Sequence, residues 1–394
     1  MTSTNPEFQR VADQQTKISF LAPNIGGPSL GFATAFARAL ATRFPVEVIG
    51  PDFWGSGVMP IYRDQFPYTV VPTPRLYRYP EYWWQMRRLQ RAITGQVVFA
   101  VKATPQTVRV ALREKRRRGT PVVVCLDEWD GGPMAQRTSA ERRALWRKHW
   151  MHPLEGIYYP AVERLLPQAD LIVSTSTFLQ RKFGGIVVRM GADTDRFQPV
   201  PSAEKTAIRA SLGLGPEHRV IVFGGVVRPH KGVETILEAV RLAADPLLRL
   251  LVIGPLTDTL SEFTRGPVGS QMITAGPKPA DEMPRWLGAG DLVVLPMTTD
   301  LLAQSQVPCK VFEAMAMGLP VIAGAVSDLP DIVSGAGAIF APGDAVALQA
   351  EIQTLFSDSS RLAALGRAAR QKCIQKYSFS IMAQELISAI NALN

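Results

Sequence analysis

Residues 308–323 read PCKVFEAMAMGLPVIA, and the rest of the chain is best read outward from them. Val311, Phe312, Met315 and Ala316 recur at the three-to-four spacing of one helix face, so a short amphipathic helix opens the segment. Gly318 turns the chain, and 320–323 (PVIA) continues as a buried strand. Lys310 and Glu313 stand three apart and can project to one side. A carboxylate in that place can accept hydrogen bonds from two neighbouring hydroxyls, as on a ribose. A capped helix with a surface ion pair accounts for the same residues, so this segment alone leaves both readings open.

A second stretch, 219–239, reads RVIVFGGVVRPHKGVETILEA. Its pattern predicts an apolar strand over 220–223, a tight turn at Gly224-Gly225 and a helix over 235–243. Arg228 and Lys231 fall in the loop between them. Such loops and helix starts present free backbone N–H groups that bind phosphate. A forked guanidinium and a point-charge ammonium together neutralise a diphosphate.

With both stretches in view, the chain resembles the family-4 type of retaining glycosyltransferases, group 1, with the GT-B architecture. The resemblance rests on R-x-x-K-G at 228–232 and K-x-F-E-A-M-A-x-G-x-P-V-I at 310–322. VRMGADTDRFQP at 188–199, LVIGP at 251–255 and DLVVLPM at 291–297 add to it. It covers the chain from Lys17 onward, specifically in the second half and loosely in the first.

The resemblance implies an α/β fold of two Rossmann-like, doubly wound domains facing a central cleft. The expected division is a disordered lead-in at 1–16, an acceptor-binding domain at 17–195, and a nucleotide-sugar domain at 196–375. A helix at 376–394 would cross back to the first domain. The implied activity is transfer of a sugar from a UDP- or GDP-type donor to an acceptor hydroxyl, by front-face transfer with retention. The acceptor would be a polysaccharide, a glycolipid or a small molecule. No cofactor or metal is implied, because cationic side chains hold the diphosphate.

Arg228 and Lys231 carry the catalytic charge in this reading. Gly26 and Gly27, in the first strand-to-helix loop, would lie against donor phosphate or acceptor. Gly225, Lys278, Ser305, Lys310, Val311 and Glu313 complete the donor set, with Lys278 on the base side. Ser305 stands where the family often has a first glutamate. Asp300 and Gln304 are then the polar residues nearest to hand for the sugar.

The first half supplies three further signals. Asp127-Glu128-Trp129-Asp130 follows an apolar strand, at the end that faces a ligand in such sheets. Three carboxylates there are costly without partners or a task. Much of the family has a histidine near this place and this chain does not; Asp127, then Glu128, is the candidate for orienting the acceptor hydroxyl. The stretch 75–91, RLYRYPEYWWQMRRLQR, interleaves aromatic and basic residues. Trp83, Trp84, Arg87 and Arg88 there suit acceptor or membrane contact; a helix with its tryptophans packed inward accounts for them equally. Finally, 1–195 holds 26 Lys+Arg against 16 Asp+Glu, and the remainder 17 against 18. The first half therefore carries the whole positive balance and points to an anionic partner. No nucleic-acid-binding motif accompanies it.

Composition sets outer limits. At 394 residues and 46% hydrophobic content the chain reads as a globular protein of two domains or more. Cys125, Cys309 and Cys373 are far apart without metal-ligand spacing, which fits a reducing compartment. No apolar run reaches the about 18 residues of a membrane span. The expected location is cytoplasmic, peripheral to a membrane at most. Two alternatives stand beside the transferase: a non-catalytic sugar-nucleotide-binding or membrane-docking subunit, and a nucleotide-sugar epimerase. An epimerase needs a carboxylate and histidine set around the sugar, and the four histidines show none.

Overall fold

The computed structural model describes residues 16–73, 78–154, 156–266 and 269–393. Residues 1–15 of the expected lead-in, and Arg75 and Tyr77 of the aromatic-basic stretch, lie outside the described residues. The chain divides into two compact units, one formed by 1–189 with 382–394 and the other by 190–381.

In the first unit the strands are β1 (Ile18–Leu21), β2 (Val46–Asp52), β3 (Tyr68–Pro72), β4 (Val97–Val101), β5 (Val122–Leu126), β6 (Leu171–Ser174) and β7 (Ile186–Val187). They form one parallel sheet in the order β3-β2-β1-β4-β5-β6-β7. Every residue of β1, β2, β4 and β5 is buried, as expected of strands covered on both faces. β1 is the switch point: Ile18 pairs with Val46 on one side and with Val97 on the other. The loops after β1 and β4 therefore flank one crevice at the carboxyl edge of the sheet.

In the second unit the strands are β8 (Arg219–Gly224), β9 (Leu248–Ile253), β10 (Met272–Thr274), β11 (Leu292–Leu295), β12 (Val321–Gly324) and β13 (Gly337–Phe340). They are parallel in the order β10-β9-β8-β11-β12-β13, so the switch point lies between β8 and β11. Alternation along β8 sends Val220 and Val222 into one hydrophobic layer, and Ile221 and Phe223 into the other. The helix Lys310–Ala316 packs on the first layer through Val311, Phe312 and Met315. Fully burying Phe312 contributes about 2 kcal/mol, which holds the helix that carries Lys310 and Glu313.

The expected helix in the aromatic-basic stretch forms over Glu81–Ala92, but its tryptophans do not pack inward. Tyr82, Met86 and Leu89 take the buried face, leaving Trp83 and Trp84 exposed. The helix Ser359–Lys376 lies where the sequence shows no apolar stripe, because it buries only Gly366, Ala369 and Cys373. Small residues let it approach closely: a Cβ on Gly366 would meet the Gly318 carbonyl at 2.3 Å. β13 likewise gives little signal, being short, begun by glycine and mostly half-exposed. No helix of the described residues is long and apolar enough to cross a membrane.

Candidate functional site

In the second unit the donor candidates gather past β8. Gly225 takes φ +120° at the strand end, a conformation that glycine alone adopts without strain. The loop then runs through Arg228 to Gly232, whose φ of +63° starts the helix Val233–Ala243. A Cβ on Gly232 would touch the Met297 backbone at 3.4 Å, so the loop lies close on the segment after β11. Two backbone bonds fix it there, from Met297 N–H to the Lys231 carbonyl at 3.1 Å and from Thr298 N–H to the His230 carbonyl at 3.1 Å.

Arg228 is exposed, whereas Lys231 is half-buried and its Nζ donates to Gln306 Oε1 at 2.5 Å. Lys310 Nζ sits 3.1 Å from Glu313 Oε2. Its Cε lies 3.8 Å from where a Gly225 Cβ would be, which brings the glycine turn and the Lys310–Glu313 pair together. Cys309 directly precedes Lys310 at the start of this helix. Burial raises its thiol pKa, the Glu313 carboxylate adds to that, and Lys310 and Lys231 pull it back. Lys231, Lys310 and Glu313 thus act on one point from two elements.

Other donor candidates are placed differently. Ser305 is fully buried, and its hydroxyl turns back on its own helix to donate to the Leu302 carbonyl at 3.0 Å. The Val311 side chain is fully buried, and its N–H donates to the Pro308 carbonyl. Lys278 is half-buried, with its Nζ 3.9 Å over the Trp286 ring. Asp300 caps the helix Leu301–Ser305 by accepting from Ala303 N–H at 2.9 Å. Burial alone would raise its carboxyl, but the bonds from Thr298 and from the Ala303 and Leu302 amides hold it below the usual value. Gln304 donates to the Thr299 carbonyl at 2.6 Å.

In the first unit a side chain on Gly26 or Gly27 would have to displace a neighbouring side chain. A Cβ on Gly26 would meet Ser56 Oγ at 2.6 Å, and one on Gly27 would meet Asn24 Nδ2 at 2.6 Å. Asp52 accepts from the Trp54, Ser56 and Gly57 amides and holds the facing loop in place.

The carboxylates past β5 have a partner that the motif itself did not indicate. Lys102, one residue past β4, places Nζ 2.9 Å from Asp127 Oδ1, 2.6 Å from Glu128 Oε1 and 3.3 Å from Asp130 Oδ1. The side chains of all four are between 10% and 19% exposed. Lys102 has a left-handed backbone at φ +66°, and its N–H donates to the Cys125 carbonyl. A lysine interrupting an apolar strand end at the switch point was the available signal.

One ammonium does not balance three carboxylates, and the groups titrate accordingly. Burial would lower the Lys102 pKa, but the three acids hold it well above the ordinary lysine value. Burial raises Asp127 despite Lys102. It pushes Asp130 up to about 7, with Lys102 opposing and the neighbouring acids reinforcing. Asp130 Oδ2 is buried without a hydrogen-bond partner among the described residues. Trp129 meanwhile donates to Glu163 at 2.7 Å, under a Lys182 ammonium 3.8 Å from its ring. Trp83, Trp84, Arg87 and Arg88 are exposed on the helix Glu81–Ala92, and Arg88 reaches the Pro72 carbonyl at 3.4 Å.

Two family descriptions match this chain: "Glycosyl transferase 4-like domain" over residues 30–202, and "Glycosyl transferases group 1" over residues 217–358. The chain belongs to the group 1 glycosyltransferases, family-4 type. A GDP-mannose-dependent phosphatidylinositol monomannoside mannosyltransferase of Mycolicibacterium smegmatis is 27% identical over 63% of this chain and 69% of its own. A D-inositol 3-phosphate glycosyltransferase of Segniliparus rotundus is 31% identical over 46% of this chain, but that match spans only 41% of the relative's length. Among solved structures, Anabaena HepE in complex with UDP-glucose superposes with a TM-score of 0.75 at 18% identity, covering 96% of this chain and 100% of its own. Sucrose-phosphate synthase from Thermosynechococcus elongatus gives 0.71 at 17% identity, covering 96% and 99%. These likenesses, with the two parallel Rossmann-like sheets, make this group 1 glycosyltransferase an α/β protein of the GT-B fold.

Proposed function

We propose that the protein transfers a sugar from a nucleoside-diphosphate sugar, of UDP or GDP type, to an acceptor hydroxyl with retention of configuration. The observation that carries this reading is the Lys310–Glu313 pair, 3.1 Å apart and set against the Gly225 turn, in the same unit as the loop that presents Lys231 and the exposed Arg228. Glu313 accepts from the ribose hydroxyls and so fixes the donor. Arg228 and Lys231 stabilise the negative charge that develops on the departing diphosphate, an effect commonly worth several kcal/mol of barrier. Their charge does the work that a metal ion does elsewhere, so the reading calls for no metal. The anomeric carbon becomes oxocarbenium-like. The acceptor oxygen attacks on the face from which the phosphate leaves, and that phosphate takes the acceptor proton.

The acceptor hydroxyl is oriented by Asp127 and Glu128, which Lys102 holds in place. Relatives that use GDP-mannose or were solved with UDP-glucose support a nucleotide-sugar donor. A polysaccharide, a glycolipid or a small alcohol meets the chemical requirement for the acceptor, and the place of action is the cytoplasm.

A thermal-shift panel of UDP, GDP, ADP and dTDP with their sugar conjugates tests the reading, because a ligand that binds only the folded state raises the melting temperature. One clear hit names the donor base. No shift from any of them would remove the basis for the donor assignment. One observation favours a second reading, nucleotide-sugar binding without transfer: the Asp127 carboxylate is already committed to Lys102. Hydrolysis of the donor in the absence of acceptor would exclude that reading.

A further inference from the structure

A basic and aromatic face of the first unit holds none of the residues given a part in the proposed transfer chemistry. The helices Glu81–Ala92 and Pro105–Arg118 are joined where Gln90 donates to Glu114 at 2.9 Å. Beside that bond lies a groove of about 440 Å³ lined by Gln90, Arg113, Arg116 and Arg117. Arg117 is partly committed, 3.1 Å from Glu114, whereas Arg113 and Arg116 pair with no carboxylate among the described residues. Trp83 stands seven residues before Gln90 and so shares its stripe of the helix. Trp83 is 48% and Trp84 60% exposed.

A second helix extends this face. Ser139–His149 buries none of its residues, although a Thr138–Glu141 capping box holds it helical. It carries Arg142, Arg143, Arg147 and Lys148, and Trp146 with the adjoining Trp150 one turn apart, 56% and 47% exposed. Tyr79 N–H donates to the Met151 carbonyl at 3.1 Å, and the Tyr158 hydroxyl to the Trp150 carbonyl. These bonds tie the end of this helix to the start of Glu81–Ala92, which places both tryptophan pairs in one neighbourhood. A helix without a buried residue has no reason within the unit to spend tryptophan.

We propose that this face docks on the surface of an anionic phospholipid bilayer, with Arg113 and Arg116 taking headgroup phosphates and the four tryptophans entering the headgroup–acyl boundary. Forked guanidinium groups match phosphate geometry. Indole rings prefer the membrane–water boundary, and cationic amphipathic helices lie in it. Charge complementarity selects the occupant, since residues 1–195 carry the whole positive balance of the chain. The proposal does not depend on the transfer reading.

Flotation of the full chain with vesicles tests it. The chain is expected to float with phosphatidylcholine vesicles that contain phosphatidylglycerol, to stay behind with phosphatidylcholine alone, and to be released by high salt. Arg113→Glu with Arg116→Glu should cut partitioning about tenfold or more. Trp84→Ala with Trp150→Ala should reduce it and weaken, without abolishing, the quenching of tryptophan fluorescence by brominated lipid, since Trp83 and Trp146 remain. Melting temperature serves as the fold control, and UDP or GDP binding separates the two proposals. Loss of nucleotide binding in the parent chain would defeat the donor reading and leave docking standing. Equal flotation with both vesicle types, no flotation at all, or charge-reversed protein that floats as the parent does would overturn the docking proposal.

Discussion

Lys102 and Arg228 each follow a central parallel strand, β4 in the first unit and β8 in the second, and their surroundings are opposite. Lys102 is nine-tenths buried and meets three carboxylates. Arg228 is exposed beside a turn built on Gly225 and Gly232. The first cation is held by the protein's own acids, and the second is directed to solvent. Position at the carboxyl edge of a sheet therefore does not by itself make a cation a ligand-binding group; its fixed counter-charges decide. The same contrast applies to the carboxylates: Glu313 pairs with Lys310 at 3.1 Å, whereas Asp130 shares Lys102 with two other acids, and burial with those acids pushes it up to about 7.

Removing the held cation should have the largest effect. Lys102→Met leaves three buried acids without their counter-ion, a change of the kind that costs about 3–5 kcal/mol. Urea denaturation measures it. A loss below about 1 kcal/mol would show that Lys102 is not the support of the cluster and would break the comparison.

The next effect is on pH dependence. The folded-state pKa of Asp130 is raised to about 7, above its unfolded value, so the folded state binds more protons. Its contribution to stability is complete below the unfolded pKa and is lost as pH rises through about 7. The urea midpoint should accordingly fall between about pH 4 and about pH 7. Asp130→Asn should flatten that slope. An unchanged slope in the variant would move the titration elsewhere.

At the donor loop the effects are on binding. Lys231→Ala should weaken nucleoside diphosphate binding by roughly ten- to a hundredfold, the worth of a hydrogen bond to a charged group, and remove most turnover. Titration calorimetry that found unchanged affinity would dissociate the loop from the diphosphate. Glu313→Ala is expected to be the mildest, about a tenfold loss of nucleotide affinity. A like loss from His149→Ala would place the site elsewhere, because His149 stands on the exposed helix of the first unit.

The second unit was legible because its site is local in sequence. Gly225, Arg228, Lys231 and Gly232 fall within one loop, and Lys310 and Glu313 within one turn of helix. The roles proposed for them follow from residue type at short spacing. The cluster at Asp127 was legible only in half. Its acids are contiguous, but their partner Lys102 arrives from the neighbouring strand, and only pairing of β4 with β5 joins them. The direction of the Ser305 hydroxyl was not legible for a similar reason, since spacing locates a residue along the chain and not the way its side chain turns. The exposure of Trp83 and Trp84 was open in the sequence because Tyr82 competes for the inward face, and only packing chose between them.

The division of the chain has a consequence for biosynthesis. The first unit takes in 382–394 as well as 1–189, so 190–381 is an insertion within it. At the seam the outgoing and returning segments pair: Ala192 N–H donates to the Tyr377 carbonyl at 2.9 Å, and Phe379 N–H to the Ala192 carbonyl at 2.8 Å. On the ribosome the residues that begin the first unit emerge early, yet Met382, Leu386 and Ile390, which are buried in the finished protein, emerge after the whole insertion. The first unit therefore cannot complete its core until the whole of the second has been made. A free chain cut at residue 381 would hold all of the second unit and leave the first without its last helix, the state in which a chaperone has most to cover.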